Sequence, residues 1–304
     1  MKKWVAFLLS LSMLLALVSC GKETKSVTSE PSDVSSETSS EEELPADRLA
    51  EKEVQSFLAE YAKYSTGAAE KATLDIHIDM GGMKIDTTQE TENYFDNGTE
   101  TSYLRVLTTD ENGEQAQITY FKDGRLYTIT ESTMGGMKMT EGYYEEKTWE
   151  DVQNADEVEL TEEMLRKATV VRDENGCAVT IEDDALNDMA NGLIAGQLGD
   201  LVDQGAAVNI ESFLLTFRIG PDGILKGYDE DMTCKITVEQ DDTVIEISFS
   251  MKITGEILAY GEGSDFEIPE PKHLKTYPSF AEYMENQYGE GWEEWYYDDE
   301  TGEV

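Results

Sequence analysis

Histidine, cysteine and positive charge are all scarce in this chain of 304 residues. It holds two histidines and three cysteines, and 23 lysines and arginines stand against 65 aspartates and glutamates. Each scarcity excludes something. At a formal net charge of −42 the surface repels polyanions, which bind through Lys and Arg that displace counterions; nucleic acid is therefore excluded as a partner. The same charge argues against a folded domain lying flat on an anionic membrane. His77 and His273 are isolated, and the chain has no His-Glu-x-x-His, Cys-x-x-Cys, Gly-x-Ser-x-Gly or phosphate-cradling loop. Carboxylates are so common that no particular pair marks glycosidase-like chemistry. The chain reads as a non-enzyme, with no cofactor and no metal. Asp75, His77 and Asp79 alternate along one β-like segment, which makes them the wet face of a strand rather than a metal site. Asp-Glu-Asn-Gly at 110–113 and 173–176 lacks EF-hand spacing and reads as a hairpin turn.

A membrane-spanning stretch is missing too, because the apolar run Val5 to Leu17 falls short of the roughly 20 residues a bilayer requires. Lys2 and Lys3 precede that run and Leu17-Val18-Ser19-Cys20 ends it, so it reads as an export signal. The tetrapeptide resembles the lipobox of bacterial lipoproteins. The resemblance implies cleavage before Cys20, a diacylglyceryl group on its thiol, and residence on the extracytoplasmic face of the cell membrane. Two acyl chains suit a stable anchor, at ~0.8 kcal/mol per buried methylene. Residues 1–19 are then the signal peptide, and residues 20–44 are the lipidated cysteine and a Ser/Thr/Glu-rich tether. The tether holds too little apolar surface to offset the entropy of ordering, and as a coil it spans roughly 25 Å.

Pro45 is positioned to open a helix whose stripe is Leu49, Phe57, Leu58, Tyr61 and Tyr64, ending before Gly67. From residue 70 the apolar period becomes two. Leu74, Ile76, Ile78 and Met80 alternate with polar residues, and further strands are expected at about 83–95, 99–109, 115–122 and 125–131. Asp96-Asn97-Gly98, Asn112-Gly113 and Asp123-Gly124 separate them with hairpin chemistry. The pattern predicts an antiparallel meander with one apolar face. The pentapeptide Met-Gly-Gly-Met-Lys occurs at 80–84 and again at 134–138, each time between β-like segments.

Thr161 is placed to cap a short helix through Lys167, and Asn175-Gly176 to turn a hairpin. Apolar residues from Leu186 to Val202 predict a helix from Asp183 or Asp184 to about Gln204, weakened by Gly192, Gly196 and Gly199. Three long strands follow at 208–219, 224–239 and 244–260. Apolar parity flips near Ser212, which predicts a bulge. Cys177 and Cys234 sit in apolar alternation; buried thiols and a disulfide both remain open.

The lipobox, the tether, the Phe121-Lys122-Asp123-Gly124 hairpin, the amphipathic helix, and the run from Phe217 through Gly220-Pro221-Asp222-Gly223 resemble Gram-positive lipoproteins related to the LolA/LolB and LppX/LprG superfamily. The resemblance covers roughly residues 46–270. It implies an α+β domain over 45–270: a strongly curved antiparallel sheet, an incomplete β-barrel, closed by helices, with an apolar concavity that holds acyl chains in several members. The expected lining is Leu74, Ile76, Ile78, Met80, Ile245, Ile247, Phe249, Met251 and Ile253, with the 184–204 helix as lid. Residues 271–304 are expected to form a helix and an acidic aromatic tail, with Trp292, Trp295, Tyr296 and Tyr297 among acids. Two functions remain open. One is non-catalytic binding of a lipid or other amphiphile by a membrane-anchored protein. The other is a cell-envelope protein-interaction module with a dry core, acting through its acidic surface and aromatic tail.

Overall fold

A computed structural model describes residues 47–110, 113–153, 160–188, 190–191, 206–240, 243–261 and 266–289. The signal, Cys20, the tether, the helix expected beyond residue 191 and the tail beyond residue 289 lie outside the described residues. Eleven strands form one antiparallel sheet: β1 Gly67–Met80, β2 Met83–Asp96, β3 Thr101–Asp110, β4 Gly113–Lys122, β5 Arg125–Met134, β6 Met137–Glu146, β7 Thr169–Asp173, β8 Gly176–Ile181, β9 Ala206–Ile219, β10 Leu225–Gln240 and β11 Thr243–Tyr260. The spatial order is β6-β5-β4-β3-β2-β1-β11-β10-β9-β8-β7. Two meanders therefore join where the last strand pairs with the first, and the sheet stays open between β6 and β7.

The hairpin turns follow the expected chemistry. Gly81 and Gly82 (φ 61° and 104°), Asp123 and Gly124 (52° and 75°), and Gly135 and Gly136 (58° and 82°) all take positive φ, as two-residue turns with matching twist require. In β9 the pairing shifts between Thr233/Cys234 of β10, where Ser212 and Ile210 are the partners, so Glu211 is the extra residue and the bulge lies where parity flips. Cys177 and Cys234 are free thiols. Their β9 partners are Ile219 and Ile210, about 30 Å apart along the strand at ~3.3 Å per residue, which precludes a bond between them.

Helix α1, Glu51–Tyr64, packs across one face of the sheet, here the helix face. It starts later than Pro45 suggests: Ala50 is still extended (ψ 155°), and its N–H donates to the Glu53 carboxylate at 2.7 Å. The ring of Phe57 meets Phe217 of β9 at 5.2 Å, and Tyr64 meets Phe95 of β2 at 6.1 Å. A helix of 14 residues is about 21 Å long, enough to cross the roughly 19 Å spanned by four strand intervals. Helices α2, Trp149–Gln153, and α3, Glu162–Lys167, follow β6. Thr161 caps α3 by accepting from the Met164 N–H at 3.2 Å. Residues 184–188 and 190–191 are also helical, and Leu186 and Ala190 join the same core.

The expectation of one apolar face needs correction, because β2–β4 bury side chains on both faces, with Phe95, Leu104, Val106 and Phe121 buried on the helix face as well. On β1 and β8–β11 the helix face is buried, through residues such as Leu74, Ile76, Phe217, Met232 and Phe249. Across β2–β6 the far face carries a second core. Tyr94, Tyr103, Tyr120, Tyr127 and Tyr144 stand in one register row there, strand beside strand. Ile118 and Ile129 flank the row, and Ile268, Leu274 and Tyr277 of the C-terminal segment cover it. That segment then reaches the β6 edge, where the Tyr144 N–H donates to the Pro278 carbonyl at 3.0 Å. Helix α4, Phe280–Tyr288, opens on a Ser279–Glu282 capping box and packs Phe280 and Tyr283 against Tyr143 at 5.0 and 5.1 Å. Alternation revealed which residues share a face of a strand; only register reveals which face of the sheet that is.

Candidate functional site

Most of the predicted lining converges. Leu74, Ile76 and Ile78 of β1 pair with Ile253, Met251 and Phe249 of β11, and Met80 pairs with Ile247. All but Met80 are buried, in one cluster with the α1 side chains, and Met80 packs against it half-buried. Ile245 is the exception, at 39% exposed. β11 runs past the end of β1, which stops at Met80 opposite Ile247, so Ile245 has no β1 neighbour and stands at the rim.

Two carboxyls interrupt this apolar face, and neither belongs to the predicted set. Glu70 of β1 is 1% exposed. One of its oxygens accepts from the Tyr64 hydroxyl and the other from the Asn93 side-chain amide, each at 2.7 Å. Glu230 of β10 pairs with Ile253 of β11 and Leu215 of β9. It takes the same parity as Met232, Cys234, Ile236 and Val238, which places it on the helix face. It is half-buried. Burial, with the nearby Glu70 carboxylate adding to the effect, pushes its acid up from 4.5 to about 7. Near neutral pH the Glu230 carboxyl therefore holds its proton much of the time, and an acid in that state can donate a hydrogen bond as well as accept one. Both glutamates fall on the apolar parity of their strands, Glu70 with Ala72 and Leu74 and Glu230 with Met232, and that was the sequence signal available for them.

The residues with conventional chemistry are elsewhere. His77 and Asp75 lie on the far face, in a depression of about 360 Å³ that also includes Asp86, Thr88, Asp231 and Lys252. There His77 bonds Asp86, and the Thr88 hydroxyl donates to Asp75 at 2.6 Å. Asp79 accepts from the Gly82 N–H at 3.1 Å and so helps hold the turn. Among the described residues no three of His, Cys, Asp and Glu gather as metal ligands. His273 begins a short 3₁₀ turn, Leu274–Thr276, beside a far-face crevice of about 570 Å³ that also holds Tyr103, Arg105, Glu131 and Tyr277. Burial pushes the Cys234 thiol up to about 12, which makes it a poor nucleophile at neutral pH. No described helix is long and apolar enough to cross a membrane.

No family model matches the chain, and no curated protein matches it by sequence. The distant likenesses among solved structures include two proteins. One is the ywiB protein from Bacillus subtilis, 10% identical, covering 63% of this chain and 93% of that one at a TM-score of 0.19. The other is a DUF1329 family protein from Desulfovibrio piger, 8% identical, covering 67% and 90% at a TM-score of 0.23. At such TM-scores neither likeness carries an argument about this chain.

Proposed function

We propose that the protein is a non-catalytic, membrane-anchored binding protein of the extracytoplasmic face, with a LolA-like plan in which an amphiphile lies between the helix face and the elements that cover it. The anchor rests on the sequence around Cys20. The ligand reading rests on one observation: a protonatable carboxyl, Glu230, set into an otherwise apolar row between Leu215 and Ile253. Packing alone gives no reason to put a carboxyl there, since burying a polar group without partners costs free energy. An apolar face with a few convergent polar groups is the usual form of a small-molecule site. The tail of an amphiphile would lie along the β11 and β1 rows, and its hydroxyl or amine head would meet Glu230 near Glu70 and Tyr64. The raised thiols of Cys177 and Cys234 fit a binding role rather than a catalytic one.

Native mass spectrometry of the mature protein, extracted from membranes, tests this reading. A retained amphiphile that is lost from Glu230→Leu is the expected result. A bare polypeptide that also takes up no fluorescent fatty amine or fatty alcohol would overturn it.

A further inference from the structure

The repeated pentapeptide has a structural meaning. Each Met-Gly-Gly-Met is a complete two-residue hairpin tip, joining β1 to β2 and β5 to β6. A side chain added at Gly81, Gly82, Gly135 or Gly136 would meet nothing within 4 Å, so both tips project free of the body. Three of the four tip methionines and the nearby Met139 stay in solvent: Met83 is 49% exposed, Met134 52%, Met137 70% and Met139 55%, while Met80 packs half-buried against the core. Register places all of them on the helix face. Met83 is in the parity of Gln89 and Thr91, and Met134, Met137 and Met139 are in that of Thr128 and Tyr143. Ile245, at 39% exposed, joins them from β11. These side chains thus ring one end of the helix face, along a rim about 29 Å wide from β11 to β6 at ~4.8 Å per strand interval.

A lysine, Lys84 or Lys138, follows each tip. Flexible apolar side chains backed by a lysine suit the boundary of a bilayer, where the methionines enter the acyl region and the ammonium groups reach headgroups. The rim also carries Asp79, Asp110, Glu114, Glu141 and Glu246, which favours a zwitterionic surface over an anionic one. The chain outside the described residues provides reach. Between Cys20 and Asp47 it can extend to roughly 90 Å, so the anchored domain can turn this end toward the bilayer.

We infer that the methionine rim is a second, non-covalent membrane contact, which sets the open end of the helix face against a zwitterionic lipid surface. The inference rests on the anchored reading for its orientation, and its test separates the two. The exported chain carrying Cys20→Ser, which lacks the acyl group, is floated with phosphatidylcholine vesicles. It is expected to bind, at least tenfold less when Met83, Met134, Met137 and Met139 are all changed to Thr, and less on vesicles rich in phosphatidylglycerol. Ile224→Thr, at a 40% exposed turn position elsewhere, should leave binding unchanged. As a second measurement, Met137→Trp should be quenched by brominated lipid and Ile224→Trp should not. Absence of vesicle binding, equal binding by the threonine variant, or methionine-dependent dimers in place of vesicle binding would each overturn the inference. Ligand retention, read by native mass spectrometry on the same preparations, reports independently on the proposed function.

Discussion

Glu230 is a residue whose charge state bears directly on the stability of this fold. Its acid lies near 7 in the folded chain against 4.5 when unperturbed. Between those values the folded state holds a proton that the unfolded chain has released, so stability falls as pH rises from 4.5 to 7 and levels off above. The full difference corresponds to about 3 kcal/mol. Glu230→Gln should therefore melt with the parent near pH 4 and above it at pH 8, by up to about 3 kcal/mol in denaturant titrations. Parallel stability curves for the two chains would show that the carboxyl does not feel the apolar row. Glu70 should respond differently, because both its oxygens accept hydrogen bonds. Its replacement by Leu removes one acceptor from the Tyr64 hydroxyl and one from the Asn93 amide, and is expected to destabilise by roughly 1–3 kcal/mol for each bond lost.

Among the elements, α1 braces the two halves of the sheet, which the β1–β11 ladder already joins, by reaching from β9 to β2. Phe57, 3% exposed, fills the position against Phe217, so Phe57→Ala should cost about 3–5 kcal/mol and appear as a large loss of melting temperature. If melting hardly changes, α1 is not docked as described. The elements also show what the sequence could and could not disclose. The bulge at Glu211 was visible because Ile210 and Phe213 break a strict period of two. The α3 cap and the Gly-containing turns were visible because their chemistry is local. The tyrosine row was not, since it depends on the relative register of five strands that each supply one ring. For the same reason alternation could not show that Tyr103 and Ile118 face away from Leu74. Glu230 was hidden in a different way: in a chain with 65 acidic residues, one acid on an apolar parity is easily taken for noise.

At the scale of the whole molecule, the two cores and the net charge act against each other. The sheet has two ends, and each is managed. The C-terminal segment covers the β6 side through Pro278 and α4. At the β7 edge the Val170 N–H donates to the Asp47 carbonyl at 2.8 Å, and Arg172 bonds the Glu53 carboxylate at 2.8 Å. Such cover blunts strand-to-strand association, while a net charge of −42 keeps molecules apart and strains each fold by self-repulsion. Lysines and arginines are too few to neutralise the carboxylates, so mobile counterions must do so. Raising sodium chloride from 10 to 500 mM shortens the screening length from ~30 Å to a few Å, and the melting temperature should rise by several degrees over that range. Divalent cations should do the same at far lower concentration. A melting temperature that is flat or falls with salt would mean that the few ion pairs outweigh the repulsion, and that the charge serves solubility without stressing the fold. The rim contact predicts the opposite sensitivity to surface charge: screening should strengthen its binding to anionic vesicles and leave binding to zwitterionic ones nearly unchanged, because there the methionines supply the attraction and the surrounding carboxylates face no opposing field.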